Sequence, residues 1–128
     1  MEITRRNYDS VPVTGSPHYH SVRAGNLLFI SGATAKMTDA EYGDMAAQTE
    51  AVLVMIRDML EAEGGGLDNV AKVTNFVTDI SKEATEASRD MRRKYFGEKL
   101  PTSPRVQVVG LIEPQLLIEI EAIAVLPD

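Results

Sequence analysis

The sequence has no cysteine and no tryptophan, and aromatic residues make up only 5% of it. The first absence excludes disulfides, thiolate catalysis and Cys-ligated metals. With so few aromatics, the platforms on which single-stranded nucleic acids stack are also missing. Positive charge is scarce: 13 Lys and Arg stand against 19 Asp and Glu, a net charge of −6. Phosphate neutralisation supplies most of the affinity for nucleic acids and anionic membranes, so neither is expected as a partner. Apolar runs such as Ala122–Leu126 are only a few residues long, against about 20 needed to cross a bilayer. Arg5 and Arg6 are not followed by the apolar stretch of a secretory signal. A cytoplasmic protein is the expectation.

What is present is ordinary for a globular domain. Apolar residues are 44% and charged residues 25% of 128, enough for one core, so residues 1–128 are read as a single domain. Tyr19–Arg23 and Leu27–Ser31 read as a hairpin around Ala24-Gly25-Asn26, whose last two residues tolerate positive φ. The continuous run Leu27-Leu28-Phe29-Ile30 predicts a strand buried on both faces. Asp44–Glu63 predicts a helix: Val52, Met55, Ile56, Met59 and Leu60 form one stripe, with Gln48, Glu50, Arg57, Asp58 and Glu61 largely off it. Asp44 suits its N-cap, and Gly64-Gly65-Gly66 its stop. The triple glycine follows a helix and lacks the Lys and Ser/Thr of a P-loop, so a phosphate loop is not expected.

Val70–Asp79 then alternates as a strand. Ser81–Phe96 predicts a second helix with Ala84, Ala87, Met91 and Tyr95 on its apolar face. Arg89, Arg92, Arg93 and Lys94 are assigned to a solvated basic face, with Glu86 and Asp90 at hand for local pairs. Arg105–Leu111 and Leu116–Leu126 complete the pattern as strands. In the last, Ile118, Ile120, Ala122 and Ala124 share one face and Glu119 and Glu121 the other. The order β-β-α-β-α-β-β implies an α+β domain, one mixed sheet with both helices on one face. Phe76, Leu117 and Ile123 fall at outer-face positions, which points to a homo-oligomer covering that face.

Three stretches carry a family likeness: Gly25–Gly32, Val70–Asp79 and Ile118–Ala124. In order and spacing the chain resembles the RidA/YjgF family of reactive-intermediate deaminases over nearly its whole length. The resemblance implies a fold like that of bacillus-type chorismate mutase and a homotrimer with ligand clefts between subunits. It further implies hydrolysis of small carboxylate-bearing imines or enamines to ammonia and a keto acid, with no metal or organic cofactor. Ser31, Gly32 and Glu119 match the deaminase pattern. Its carboxylate-binding Arg, two residues after the Pro aligned with Pro101, is Ser103 here, and an Arg follows at Arg105. Its Tyr falls on His18, a polar residue after Ser-Gly on Ala33, and an Asn of the second helix on Arg89. The chain therefore looks like a divergent member, and a pathway-specific substrate is one implication.

Each candidate has two readings. Arg105 suits a carboxylate, which guanidinium binds through paired N–H groups. On a regular strand it lies about 6.6–6.8 Å from Ser103 along the same face. Its alternative is an interface Arg paired with Glu119 or Glu121. Glu119 suits the handling of water, because imine hydrolysis needs water added to carbon and a proton delivered to the departing amine. Its alternative is a solvated strand carboxylate. Ser31 and Gly32 could present a backbone N–H to a ligand, or merely end a strand. His18 is a pocket-lining candidate, or a surface histidine. His18 and His20 are too few for a catalytic metal, which normally wants three protein ligands. The alternative to a deaminase is a non-catalytic trimeric protein that binds a small acid. A ribonuclease label has been attached to relatives of the family, and the acidic charge argues against it.

Overall fold

The elements run β1 (Ile3–Arg6), β2 (Ser21–Ala24), β3 (Leu27–Ala33), α1 (Met45–Ala62), β4 (Val70–Val77), α2 (Lys82–Phe96), β5 (Arg105–Gln107) and β6 (Ile118–Val125). The computed structural model describes residues 1–128. All six strands form one sheet in the order β1-β2-β3-β6-β4-β5. Neighbours are antiparallel except β4 and β5, which are parallel and connected through α2. The α+β reading therefore stands, with one strand more than expected. β1 went unread because Ile3-Thr4-Arg5-Arg6 is exposed at all but one position and has no apolar alternation. The strand expected over Arg105–Leu111 ends at Gln107. No helix is long and apolar enough to cross a membrane.

α1 buries the whole predicted stripe of Val52, Met55, Ile56, Met59 and Leu60. Asp44 Oδ1 caps it by accepting from Ala47 N at 2.9 Å. Gly64, at φ +84°, ends it. The N–H groups of Gly64 and Gly65 close onto the carbonyls of Glu61 (3.1 Å) and Leu60 (2.9 Å), a Schellman stop. Gln48, assigned off the stripe, is instead fully buried. Its Nε2 donates to the carbonyls of Glu41, Gly43 and Gln115, and its Oε1 accepts from Leu117 N at 2.8 Å. A polar residue is buried here because it ties the first turn of α1 to the loop that leads into β6.

Ile118, Ile120, Ala122 and Ala124 of β6, Leu28 and Ile30 of β3, and Val73 and Val77 of β4 form the sheet side of the core. The run Leu27–Ile30 is not buried on both faces. Leu28 and Ile30 are buried while Leu27 and Phe29 are 37% and 42% exposed, because both helices lie on one side of the sheet. The N-terminal segment is pinned to the end of α1. Tyr8 hydroxyl donates to Glu63 Oε2 (2.9 Å) and sits 2.6 Å from Ser21 Oγ. Glu63, its side chain only 4% exposed, also meets Arg6 (3.2 Å) and Arg23 (3.5 Å). Burial pushes the Tyr8 phenol up to about 12.

Candidate active site

The strand pairing that builds the site is irregular at one point. β3 and β6 pair as Ile30↔Ala122 and then Ala33↔Ile120, so Ser31 and Gly32 together face the single Glu121. This is a β-bulge, which re-aims the chain locally. It presses the Gly32 backbone against the Glu119 side chain: a Cβ on Gly32 would lie 2.8 Å from Glu119 Cδ. A side chain at residue 32 would have to displace that carboxylate. A cleft of about 550 Å³ opens here, lined by His18, Ser31, Gly32, Glu119, Glu121 and Lys36 among others.

Glu119 is half-buried, and burial raises its pKa above the usual carboxylate value; Glu121 adds to the rise and His18 opposes it. No Lys or Arg faces its carboxylate closely, since Lys36 is engaged with Glu113 at 3.1 Å. Ser31 is less free than its position suggests. Its N–H donates to His20 O (3.0 Å) and its hydroxyl to Tyr19 O (2.8 Å). What it offers a ligand is the hydroxyl oxygen as an acceptor. His18 lies exposed at the cleft with Nδ1 3.2 Å from Tyr19 O. His20 is buried, and its Nδ1 accepts from Tyr8 N (2.9 Å), which leaves Nε2 to donate to Pro12 O (3.1 Å). That is a structural histidine in its neutral form.

The structure thus brings His18, Ser31, Gly32 and Glu119 together. It does not bring Arg105 to them. Arg105 pairs in register with Asn75, and Asn75 with Ile120, so all three project from the helix side of the sheet while Glu119 projects from the other. Arg105 Nη1 accordingly bonds Thr85 Oγ1 on α2. Pairing of Arg105 with Glu119 or Glu121 within one chain is excluded as well, because β4 lies between their strands. Ser103 faces α2 too. Its hydroxyl accepts from Arg92 Nη1 (2.6 Å) and from Asn75 Nδ2 (2.8 Å).

The sequence model of the Endoribonuclease L-PSP family matches residues 10–126. A RutC family protein of Pyrococcus horikoshii is 37% identical over 119 residues, 91% of this chain and 92% of that one. The chain belongs to the YjgF/RidA family. A second relative, named 3-aminoacrylate deaminase RutC, from Acinetobacter baylyi, is 33% identical over 91% of this chain and 92% of its own. A solved member of the YjgF family from Mycobacterium tuberculosis superposes with a TM-score of 0.83 at 30% identity, covering 98% of this chain and all (100%) of that one. A Rid family structure from Yersinia pestis gives 0.87 at 26%, with 98% and 100% coverage. The fold is therefore the YjgF/RidA fold.

Ser103 stands where the resemblance places a carboxylate-binding Arg, and in the structure Arg92 lies against it. Arg92 is not on the solvated face of α2 to which its neighbours belong. It turns inward, half-buried, and lays its guanidinium on Ser103. The misassignment came from reading Arg89–Lys94 as a block. Thr85, Ser88 and Arg92 recur at spacings of three and four and define a second, polar inward stripe beside Ala84, Ala87 and Met91. That spacing was available in the sequence. Its direction was not, because Thr, Ser and Arg normally mark an outer face.

Proposed function

We propose that the chain hydrolyses small carboxylate-bearing imines or enamines to ammonia and a keto acid, at a cleft completed by a second copy of the chain in a homotrimer. The observation that carries the reading is Glu119: a half-buried carboxylate of raised pKa, held against a glycine backbone in an open cleft and making no ion pair. Such a group takes a proton from water as the water oxygen adds to the imine carbon and the C=N pair moves to nitrogen. The same carboxyl then gives the proton to the amine; the C–N bond breaks, ammonia leaves, and the freed carboxylate takes the hydroxyl proton as the carbonyl forms. Ser31 Oγ accepts an N–H of the iminium, and His18 closes the cleft. Free imines hydrolyse in water, so orientation and charge placement supply the acceleration required.

The substrate carboxylate needs a cation, and Arg105 is assigned that role. Since it lies on the opposite sheet face from Glu119 in its own chain, it acts on the cleft of a neighbouring copy. The exposed apolar residues Leu27, Phe29 and Val125 on the outer sheet face favour a second copy there. The enamine chemistry named for the Acinetobacter baylyi relative points the same way. A non-catalytic trimer that binds a small acid is the second reading, favoured by Ser103 at the position of the family's Arg.

The test is ammonia release from 2-aminoacrylate and 2-iminobutanoate generated in situ, with wild type, Arg105→Ala and Glu119→Gln, alongside sedimentation of the wild type. Acceleration over the uncatalysed rate that both variants lose supports the reading. Acceleration retained by Arg105→Ala removes the anchor. No acceleration by the wild type, on these imines or on the imine of 2-oxoglutarate, removes the enzyme and leaves the binding protein.

A further inference from the structure

The inward polar stripe of α2 meets β4 and the 101–105 segment. The three buried side-chain polar atoms without a hydrogen-bond partner are Arg92 Nε, Ser88 Oγ and Asn75 Oδ1, and all belong to this cluster. Arg92 and Asn75 share the Ser103 hydroxyl, and Ser88 lies one turn before Arg92 on the same helix face. Buried polar groups are ordinarily satisfied, and of these three only the guanidinium of Arg92 both donates and lines a cavity.

The charge is equally one-sided. Burial and the guanidinia of Arg105, Arg89 and Arg93 all hold the pKa of Arg92 below the usual guanidinium value, and no carboxylate opposes them. Arg93 is neutralised by Asp90 at 3.2 Å. Arg89, Arg92 and Arg105 make no ion pair in a chain whose net charge is −6. A cavity of about 180 Å³ opens onto Arg89, Arg92, Phe96 and Ser103. Like charges gathered at a partly dry site repel, and an anion in the cavity would relieve the repulsion and bond the orphan donor. A single negative charge would leave the cluster strongly positive.

We propose that this cavity binds a doubly charged anionic group, with Arg92 as principal donor and Arg89 and Arg105 completing the charge balance. It rests on the deaminase reading for its place in the reaction. There it defines the substrate class: an imine or enamine whose acid end carries two negative charges, as a dicarboxylate or a phosphoryl group. Ser103 then has a reason, since its short side chain leaves room for Arg92 and for the larger anion.

The test is calorimetric binding of three probes: 2-oxoglutarate, 2-oxobutanoate and inorganic phosphate. Wild type, Arg92→Gln and Arg92→Lys would be used, each checked for folding by its melting curve. The expected result is binding of 2-oxoglutarate at least tenfold tighter than 2-oxobutanoate. Arg92→Gln should erase the margin, and Arg92→Lys should keep part of it. Phosphate binding stronger than that of 2-oxoglutarate, equally lost in Arg92→Gln, would assign the second charge to a phosphoryl group. Equal affinity for the mono- and dicarboxylate, no binding of any probe to the wild type, or a margin that survives Arg92→Gln overturns the proposal. The two readings fail separately. A dianion margin lost in Arg92→Gln without ammonia release from any imine keeps the anion site and removes the deaminase. Ammonia release from 2-iminobutanoate by the wild type, with a dianion margin that is absent or survives Arg92→Gln, keeps the deaminase and removes the anion site.

Discussion

Replacing Gln48 by leucine tests how the cleft is held in place. The side chain is fully buried and makes four hydrogen bonds, three to the carbonyls of Glu41, Gly43 and Gln115 (3.1, 3.1 and 2.9 Å) and one from Leu117 N (2.8 Å). Leucine has similar volume, so no large cavity forms and the loss is of polar partners. The amide has two N–H groups for three acceptors, so one of the four bonds is shared and weaker. Counting each bond at about 1 kcal/mol, and the shared one at less, gives a loss of about 3–4 kcal/mol. Against a typical total of about 5–15 kcal/mol this is a large fraction. In a chain of this length it corresponds to a fall in Tm of about 10–15 °C. Urea denaturation followed by circular dichroism, at fixed protein concentration because association adds to stability, measures it. A loss below about 1 kcal/mol, the worth of a single bond, would refute the view that Gln48 anchors β6 to α1. Because Glu119 lies two residues beyond Leu117, a folded Gln48→Leu should also loosen the Glu119 carboxylate.

Glu119→Gln should stabilise the fold at neutral pH. The folded state raises the pKa of Glu119, so it binds the proton more tightly than the unfolded chain, and stability falls as pH rises from the unfolded value through the folded one. Glutamine escapes that loss, and its advantage should vanish in acid, where both states of the wild type are protonated. Urea midpoints that show no gain for the variant at pH 7.5 would contradict the burial argument. Tyr8→Phe removes a hydrogen bond to the nearly buried Glu63 and should lose about 2–3 kcal/mol in the same assay, a loss below about 0.5 kcal/mol being inconsistent with it. Gly32→Ala places a Cβ against Glu119 and should displace the carboxylate. Turnover should fall sharply while the melting temperature changes little, and undiminished turnover would show that the Gly32–Glu119 approach is not part of the site.

The elements whose residues interact mainly with their own neighbours along the chain were legible. α1, its Asp44 cap, its glycine stop and the two-faced β6 follow from spacing and local chemistry, since a helix stripe or a strand alternation is a one-dimensional pattern. From β6 alone Glu119 and Glu121 could be placed opposite the core, and the RidA/YjgF likeness then picked out Ser31, Gly32 and His18, which the structure gathers around one cleft. β1 was not legible: an exposed edge strand needs no apolar alternation, and pairing with β2 alone makes it a strand. The burial of Gln48 depends on a loop nearly seventy residues away. The placing of Arg92 and Arg105 against Ser103 and Thr85 depends on which side of a sheet a crossover helix covers. A residue's local pattern states that it has two possible faces. Only the packing of the other elements decides which face is dry, and hence that Arg105 and Glu119, both candidates for one site, project from opposite sides of the same sheet.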